Sequence, residues 1–301
     1  MSTTQESVQN RMNQDRLSIA AAARGMGVSS ATLSLWLRDT YPGDNAMVER
    51  HAQRWLTTQA DRQTLEFRLD VHVELAVTME LMTDLATIKA NNDCVLIYGP
   101  AGTGKTHALR HFAESRSHVC VTTMSPAVTT PAGVLTRIAQ ALDTGANIHR
   151  ATRLEDLLAE RLKGRGALLC IDEAHHLRPA LLDQIRVLYD RAGCSLALVG
   201  NEPLWSKLSE SDRAAQIVSR VGIQRHLGAP AATDLHTLAS ALLDRPLNPR
   251  EQGRITQLGK RAGGLRAVHK TIRDAYAFAR ASNRRQPDHD DVLDAIALRE
   301  V

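Results

Sequence analysis

The segment Gly99-Pro100-Ala101-Gly102-Thr103-Gly104-Lys105-Thr106 has the residue types and spacing to hold a nucleoside triphosphate. It reads G-x-x-x-x-G-K-T and lies between an apolar run, CVLIY, and a helical pattern that opens with His107. The glycines let main-chain N–H groups wrap phosphate oxygens, and a helix N-terminus adds positive potential there. In that setting Lys105 reaches the β- and γ-phosphates and the Thr106 hydroxyl ligates Mg²⁺. A second apolar run, LLCI, ends in Asp172 and Glu173. Carboxylates at a strand's C-terminal edge stand where ligands bind in α/β sheets. There Asp172 would hold Mg²⁺ through water, and Glu173 would orient or deprotonate an attacking water. A third run, SLALVG, delivers Asn201, whose amide can donate and accept and so bridge water and γ-phosphate. His175 and His176 invite a metal, but adjacent helical residues point about 100° apart, so they are expected to be polar helix-start residues that do not converge on one ion.

These groups need a scaffold, and the apolar runs supply one. CVLIY, HVCVT, ALLCI and CSLALV, with a fifth strand near Ile223 to Leu227, alternate with helical patterns over residues 67–227. Such alternation predicts a mostly parallel sheet in an α/β domain that binds the nucleotide. Residues 228–301, beyond the Gly228-Ala-Pro230 break, read as four helices: about Asp234–Leu243, Pro249–Arg261, Gly264–Ser282 and Asp288–Arg299.

Residues 1–66 read as a small helical domain. Small Ala23, Gly27 at a tight turn, then Val28, Leu33 and Trp36 make a helix-turn-helix pattern, followed by an amphipathic helix carrying Val48, Ala52, Trp55 and Leu56. The second helix of that pair, capped by Ser29, would offer Ser30, Thr32, Ser34 and Arg38 to a DNA groove. A three-helix bundle used for protein contact is the alternative reading.

Composition limits the remaining choices. The 37 Lys and Arg against 33 Asp and Glu leave a formal +4, and 12 of the basic against 9 of the acidic residues fall in 228–301. Arg266, Lys270, Arg273, Arg280 and Arg284 share one face of a helix there, a stripe able to meet phosphates or an acidic partner. Only 10 of 301 residues are Phe, Trp or Tyr, too few for single-strand binding by base stacking, so duplex binding through the backbone fits better. The helix-turn-helix has a single Arg in its second helix region, which argues against an operator reader. No apolar run is long enough to span a bilayer and the N-terminus has no export signal, so no membrane partner is expected. The cysteines Cys94, Cys120, Cys170 and Cys194 lack metal-ligand spacing and read as buried thiols in a reducing cytoplasm.

The order Lys105, Asp172/Glu173 and Asn201, with a C-terminal helical domain, resembles the AAA+ P-loop NTPases. That resemblance implies a parallel sheet with a helical lid over 228–301. It makes Asn201 sensor 1, Arg220 in Ile217-Val-Ser-Arg220 an arginine finger reaching a neighbouring subunit, and Arg266 in Gly263-Gly-Leu-Arg266 the sensor 2 of the lid; Arg213 and Arg225 compete for the finger role. With the N-terminal domain, and with Tyr41-Pro-Gly43-Asp44-Asn45, Arg54-Trp55-Leu56 and His176-Leu177, the chain resembles the phage Mu transposition protein B family. The likeness implies a phage- or mobile-element-encoded ATPase of the bacterial host cytoplasm. It would use ATP and Mg²⁺, form helical filaments or rings on duplex DNA with little sequence preference, and deliver that DNA to a transposase. The region between the second and third strands carries Arg150, Arg153, Arg161, Lys163 and Arg165, fewer basic residues than the family has. Arg161, Lys270 and Arg273 join Ser30, Thr32 and Arg38 as candidate DNA contacts. A helicase-loader-like ATPase and an ATP-switched transcription regulator are the alternative functions.

Overall fold

The computed structural model describes residues 3–69, 73–145, 150–209, 216–261 and 263–299, and the chain divides into two compact units between residues 71 and 72. The sequence-based boundary at 66 falls inside one continuous helix, Asn45–Leu69. Among the described residues no helix is long and apolar enough to cross a membrane.

The first unit holds α1 (Thr3–Gln14), α2 (Ile19–Met26), α3 (Ser30–Leu37) and α4 (Asn45–Leu69). Ser18 and Ser29 cap α2 and α3, accepting from Ala21 N and Thr32 N. Both helices begin where a short hydroxyl side chain satisfies an N–H that the helix cannot. Val8, Ala23, Leu33, Trp36, Val48, Ala52 and Trp55 form the core. Helix α1 escaped the sequence reading because Val8 and Met12 are its only large apolar residues. Its third anchor is polar: Gln5 is buried and donates from Nε2 to the Trp36 carbonyl at 2.6 Å.

The second unit opens with α5 (Ala76–Asn91) and β1 (Cys94–Tyr98), followed by α6 (Lys105–Ser115), β2 (Val119–Thr123), α7 (Pro131–Ala141), α8 (Ala151–Leu162) and β3 (Leu168–Asp172). A 3₁₀ turn over Ala174–His176 leads to α9 (Pro179–Ala192), β4 (Ser195–Gly200), α10 (Pro203–Ser209) and β5 (Val221–His226). The sheet is five-stranded in the order β2-β3-β4-β1-β5, and every pairing is parallel. Its C-terminal strand ends therefore share one edge. Strands β1, β3 and β4 are buried along their whole length, which is why each reads as an unbroken apolar run. Val95 and Ile97 pack with α5 and α6 on one face; Leu96, Leu169 and Leu198 pack with α7, α8 and α9 on the other. All four cysteines are free and buried in this core. Desolvation pushes the Cys94 and Cys120 thiols up to about 12 and Cys194 up to about 11, so they are inert as nucleophiles.

Four helices complete the unit: α11 (Ala232–Leu243), α12 (Pro249–Lys260), α13 (Gly264–Ala281) and α14 (His289–Ala297). Capping boxes at Asn248/Glu251 and Asp288/Asp291 start α12 and α14. Glu251 is fully buried and takes a two-pronged ion pair from Arg245 at 2.7 and 3.0 Å. Leu75 precedes α5 and has no group with which to cap it; Asp234 of α11 does so instead, accepting from Ala76 N at 2.9 Å and Val77 N at 3.2 Å. The helical segment is thus tied to the first helix of the α/β layer through a buried carboxylate.

The basic stripe on α13 is less free than its spacing suggests. Arg273 pairs with Asp274; Arg284 lies beyond the end of α13 at Ala281, off the helix face expected for it, and pairs with Asp288 and Asp291. The acids come from the same helix and from the start of α14, which helix-face counting on one segment cannot register.

Candidate nucleotide site

Four segments meet at the C-terminal edge of the sheet: the loop after β1, the first turn of α6, the end of β3 and the end of β4. Gly99, Gly102 and Gly104 all take positive φ, bending residues 99–104 into a loop. At Gly102 no side chain fits: a Cβ there would lie 1.9 Å from the Gly263 carbonyl oxygen. The Gly102 carbonyl in turn accepts from Leu265 N at 2.9 Å. The loop and the N-terminus of α13 are therefore joined main chain to main chain.

Lys105, Thr106 and His107 form the first turn of α6. Lys105 is 8% exposed and folds over the loop, donating from Nζ to the carbonyls of Gly99 at 2.8 Å and Pro100 at 2.7 Å. Thr103 is buried, and its hydroxyl donates to the Pro100 carbonyl, while Ala101 stands exposed at the tip. Burial lowers the Lys105 pKa against the opposing pull of Glu173 and Asp172. Arg266 is exposed in the first turn of α13, directly after Leu265, whose N–H bonds the Gly102 carbonyl. Asp172 is 2% exposed, accepting from Thr106 Oγ1 at 2.9 Å and from Glu173 N at 2.9 Å. Burial holds its carboxyl above the usual range, and the hydrogen bond from Thr106 works in the other direction.

The residues present fit a nucleotide and its metal. Thr106 Oγ1 and Asp172 Oδ2 are adjacent oxygen donors, the ligand type Mg²⁺ takes. Thr78, from the first turn of α5, is 1% exposed, and its hydroxyl has no hydrogen-bond partner among the described residues. It lies 3.9 Å from where a Cβ of Gly104 would stand. A buried hydroxyl without a partner is costly unless something else satisfies it, and here it sits against the phosphate-type loop. Sequence reading missed Thr78 because only the packing of α5 brings it to Gly104.

Asn201 follows β4, with its main-chain N–H 3.2 Å from His175 Nδ1. The expectation that His175 and His176 diverge is overturned. Glu173 adopts a left-handed conformation (φ 54°, ψ 33°) and residues 174–176 form a 3₁₀ turn rather than an α-helix. As a result the two imidazole centroids lie 4.1 Å apart, and donor atoms of Glu173, His175 and His176 all fall within 4.8 Å of one another.

Among the arginines, Arg220 precedes β5 and is held by Asp190 Oδ1 at 2.7 Å and by the Gln216 carbonyl at 2.6 Å. Arg225 is likewise engaged within the unit, by a two-pronged pair with Asp84 at 2.7 and 2.8 Å. Arg213 lies outside the described residues. The candidate DNA contacts are dispersed. Ser30 and Arg38 are exposed at the two ends of α3, while the Thr32 hydroxyl is hydrogen-bonded to Ser29. Arg161 is exposed near the end of α8, Lys270 is exposed on α13, and Arg273 is paired.

Comparison with known proteins agrees with this geometry. A model of the AAA domain matches residues 88–208, and a model of the Mu B transposition protein C-terminal region matches 219–298. The chain is 29% identical over 238 residues to the Mu-like prophage FluMu DNA transposition protein B of Haemophilus influenzae, covering 78% of this chain and 83% of that one. It is 26% identical over 262 residues to the ATP-dependent target DNA activator B of Escherichia phage Mu, covering 86% and 83%. Among solved structures, the Aeropyrum pernix ORC2 protein in ADPNP–ADP complexes matches with a TM-score of 0.58 at 19% identity, over 74% of this chain and 68% of that one. That last likeness carries the fold, an AAA-type P-loop NTPase. The fold, the loop-and-carboxylate site and both family matches agree: the chain resembles the Mu B transposition proteins, carrying an AAA domain followed by the C-terminal region of that family.

Proposed function

We propose that the chain is an ATPase that assembles on duplex DNA when ATP is bound, with little sequence preference, and delivers that DNA to a transposase. The observation that carries this is the joining of Lys105, Thr106, Asp172 and Glu173 at one sheet edge, in a chain whose relatives include ATP-dependent target DNA activators. In this reading residues 1–66 and 228–301 flank a nucleotide-binding domain over 67–227, the first contributing DNA contacts and the last a lid. The protein works in the cytoplasm of a bacterial host as the product of a phage or mobile element.

The loop residues 99–104 and the N-terminus of α6 wrap the phosphates, and Lys105 exchanges its carbonyl partners for phosphate oxygens. Thr106 and Asp172 would hold Mg²⁺, which when bound would neutralise phosphate charge. Glu173 orients the attacking water and accepts its proton, and Asn201 places that water against the γ-phosphate. Arg220 reaches the γ-phosphate of a neighbouring subunit after exchanging its Asp190 partner, and Arg266 acts in cis from the lid. Exposed Arg38, Arg161 and Lys270 contact phosphate backbone, each making a small contribution that assembly multiplies.

Electron microscopy of the protein with random-sequence duplex and either ATP or ADP tests the reading. Filaments or rings on DNA with ATP and none with ADP are expected. A discrete complex on one sequence only, whatever the nucleotide, would point to a regulator instead.

A further inference from the structure

The conformation of Glu173 has a partner that the hydrolysis scheme above leaves unused. Its left-handed backbone is pinned on both sides: its N–H donates to Asp172 Oδ1 at 2.9 Å, and its carbonyl accepts from His176 N at 3.0 Å. The 3₁₀ turn that follows brings His175 back over the end of β4. Gly200 makes room for it, since a Cβ there would lie 3.1 Å from His175 N and 3.2 Å from Nδ1. Lys207 fixes the turn from α10 by donating to the His175 carbonyl.

Seated in this way, the His175 Nδ1 atom faces two groups at nearly equal distance. Asn201 N is 3.2 Å away and Glu173 Oε2 is 3.3 Å away. These neighbours need opposite things from it. The Asn201 N–H is a donor and requires the Nδ1 lone pair, whereas the Glu173 carboxylate is an acceptor and requires a proton on Nδ1. A neutral imidazole carries one proton and can place it on either nitrogen, so one nitrogen serves only one of these partners at a time. His175 is 13% exposed at its side chain and Glu173 33%, so the choice is made inside the site and not in bulk water.

We propose that His175 is a positioning residue that links the end of β4 to Glu173 by exchanging these two hydrogen bonds. With the proton on Nδ1, the ring holds the Glu173 carboxylate. With the proton on Nε2, Nδ1 accepts from Asn201 N–H and the carboxylate is released toward water. A shift of Asn201 on meeting the γ-phosphate thereby changes which partner Nδ1 serves. The coupling rests on the reading of Glu173 as the residue that activates water, and the experiment separates the two.

Steady-state hydrolysis and nucleotide affinity are measured for full-length His175→Ala, His175→Asn and His175→Phe, each also in a Glu173→Gln background. Asn places a polar group near the position of Nδ1, while Phe keeps the ring volume without it. His175→Ala and His175→Phe are expected to lower kcat about tenfold with KM and nucleotide affinity unchanged, and Asn to restore most of the loss. In Glu173→Gln, replacing His175 should cost nothing further, because the two residues act as a unit. In the wild type, the ¹⁵N signal of His175 Nδ1 should report different tautomers with ADP and with a non-hydrolysable ATP analogue. A loss of nucleotide affinity equal to the loss of kcat, rescue by Phe, or one tautomer in both states overturns the proposal. Full hydrolysis by Glu173→Gln alone overturns the underlying assignment of Glu173.

Discussion

At the scale of single residues, Lys105 and Asp172 show how burial sets the terms of nucleotide binding. Lys105 is 8% exposed, and two loop carbonyls and two nearby carboxylates compensate its ammonium for lost water. Replacing it removes the cationic side chain that folds over the loop. Lys105→Ala is therefore expected to weaken nucleotide affinity roughly 100-fold and to abolish ATP-dependent DNA association. Fluorescent-nucleotide titration and a DNA co-sedimentation assay check the two effects separately, and DNA association that still responds to ATP would contradict the role. The residues of this motif were legible in the sequence because their chemistry depends on local order: strand, turn, helix. Thr78 and the His175–Asn201 contact were not legible, because both arise where distant segments pack. His175 was misjudged for a specific reason. The 100° rule assumes an α-helix, and the left-handed Glu173 followed by a 3₁₀ turn changes the direction of the next two side chains.

At the scale of elements, the five strands and the last four helices could be read from apolar runs and caps, since each is specified within its own segment. Helix α1 could not, because a buried Gln5 replaces an apolar anchor. The α13 stripe was overread, because Asp288 and Asp291 enter from the next element. The Glu251 carboxylate gives the C-terminal helical segment a testable dependence on pH. Burial would raise its pKa, but Arg245, the Asn248 N–H and His289 together hold it below the ordinary glutamate range. A carboxyl lowered on folding contributes stability above its unfolded pKa and loses that contribution as pH falls through the folded value. The helical segment should thus hold its stability at neutral pH and lose it below about pH 4. Glu251→Gln should flatten that acid limb and cost roughly 2–3 kcal/mol at pH 7, since Arg245 loses its partner and the α12 capping box loses an acceptor. Thermal melts from pH 3 to pH 7 for both proteins measure this, and parallel acid limbs would assign the pH dependence elsewhere.

At the scale of the whole molecule, the question is whether hydrolysis belongs to one chain or to a pair. Arg220 is a third exposed at its side chain and bound to Asp190 across the unit's surface, with no contact to Lys105 or Asp172 among those described. A residue so placed can serve a neighbour through a head-to-tail interface, which also builds rings or filaments. The consequence can be tested by mixing. Glu173→Gln keeps Arg220 but cannot activate water, and Arg220→Ala keeps Glu173 but lacks the finger. Each alone is expected to hydrolyse ATP poorly while still binding it. In an equal mixture on DNA, about a quarter of interfaces pair an intact Glu173 with an intact Arg220 from the neighbour, so roughly a quarter of wild-type activity should return. The recovery should follow the product of the two mole fractions, peaking at equal mixing and vanishing at either end. It should also disappear at protein concentrations too low for assembly, because the active unit exists only between subunits. Activity that stays at the sum of the two single variants at every ratio would place Arg220 in its own chain's site and remove the need for an assembly in hydrolysis.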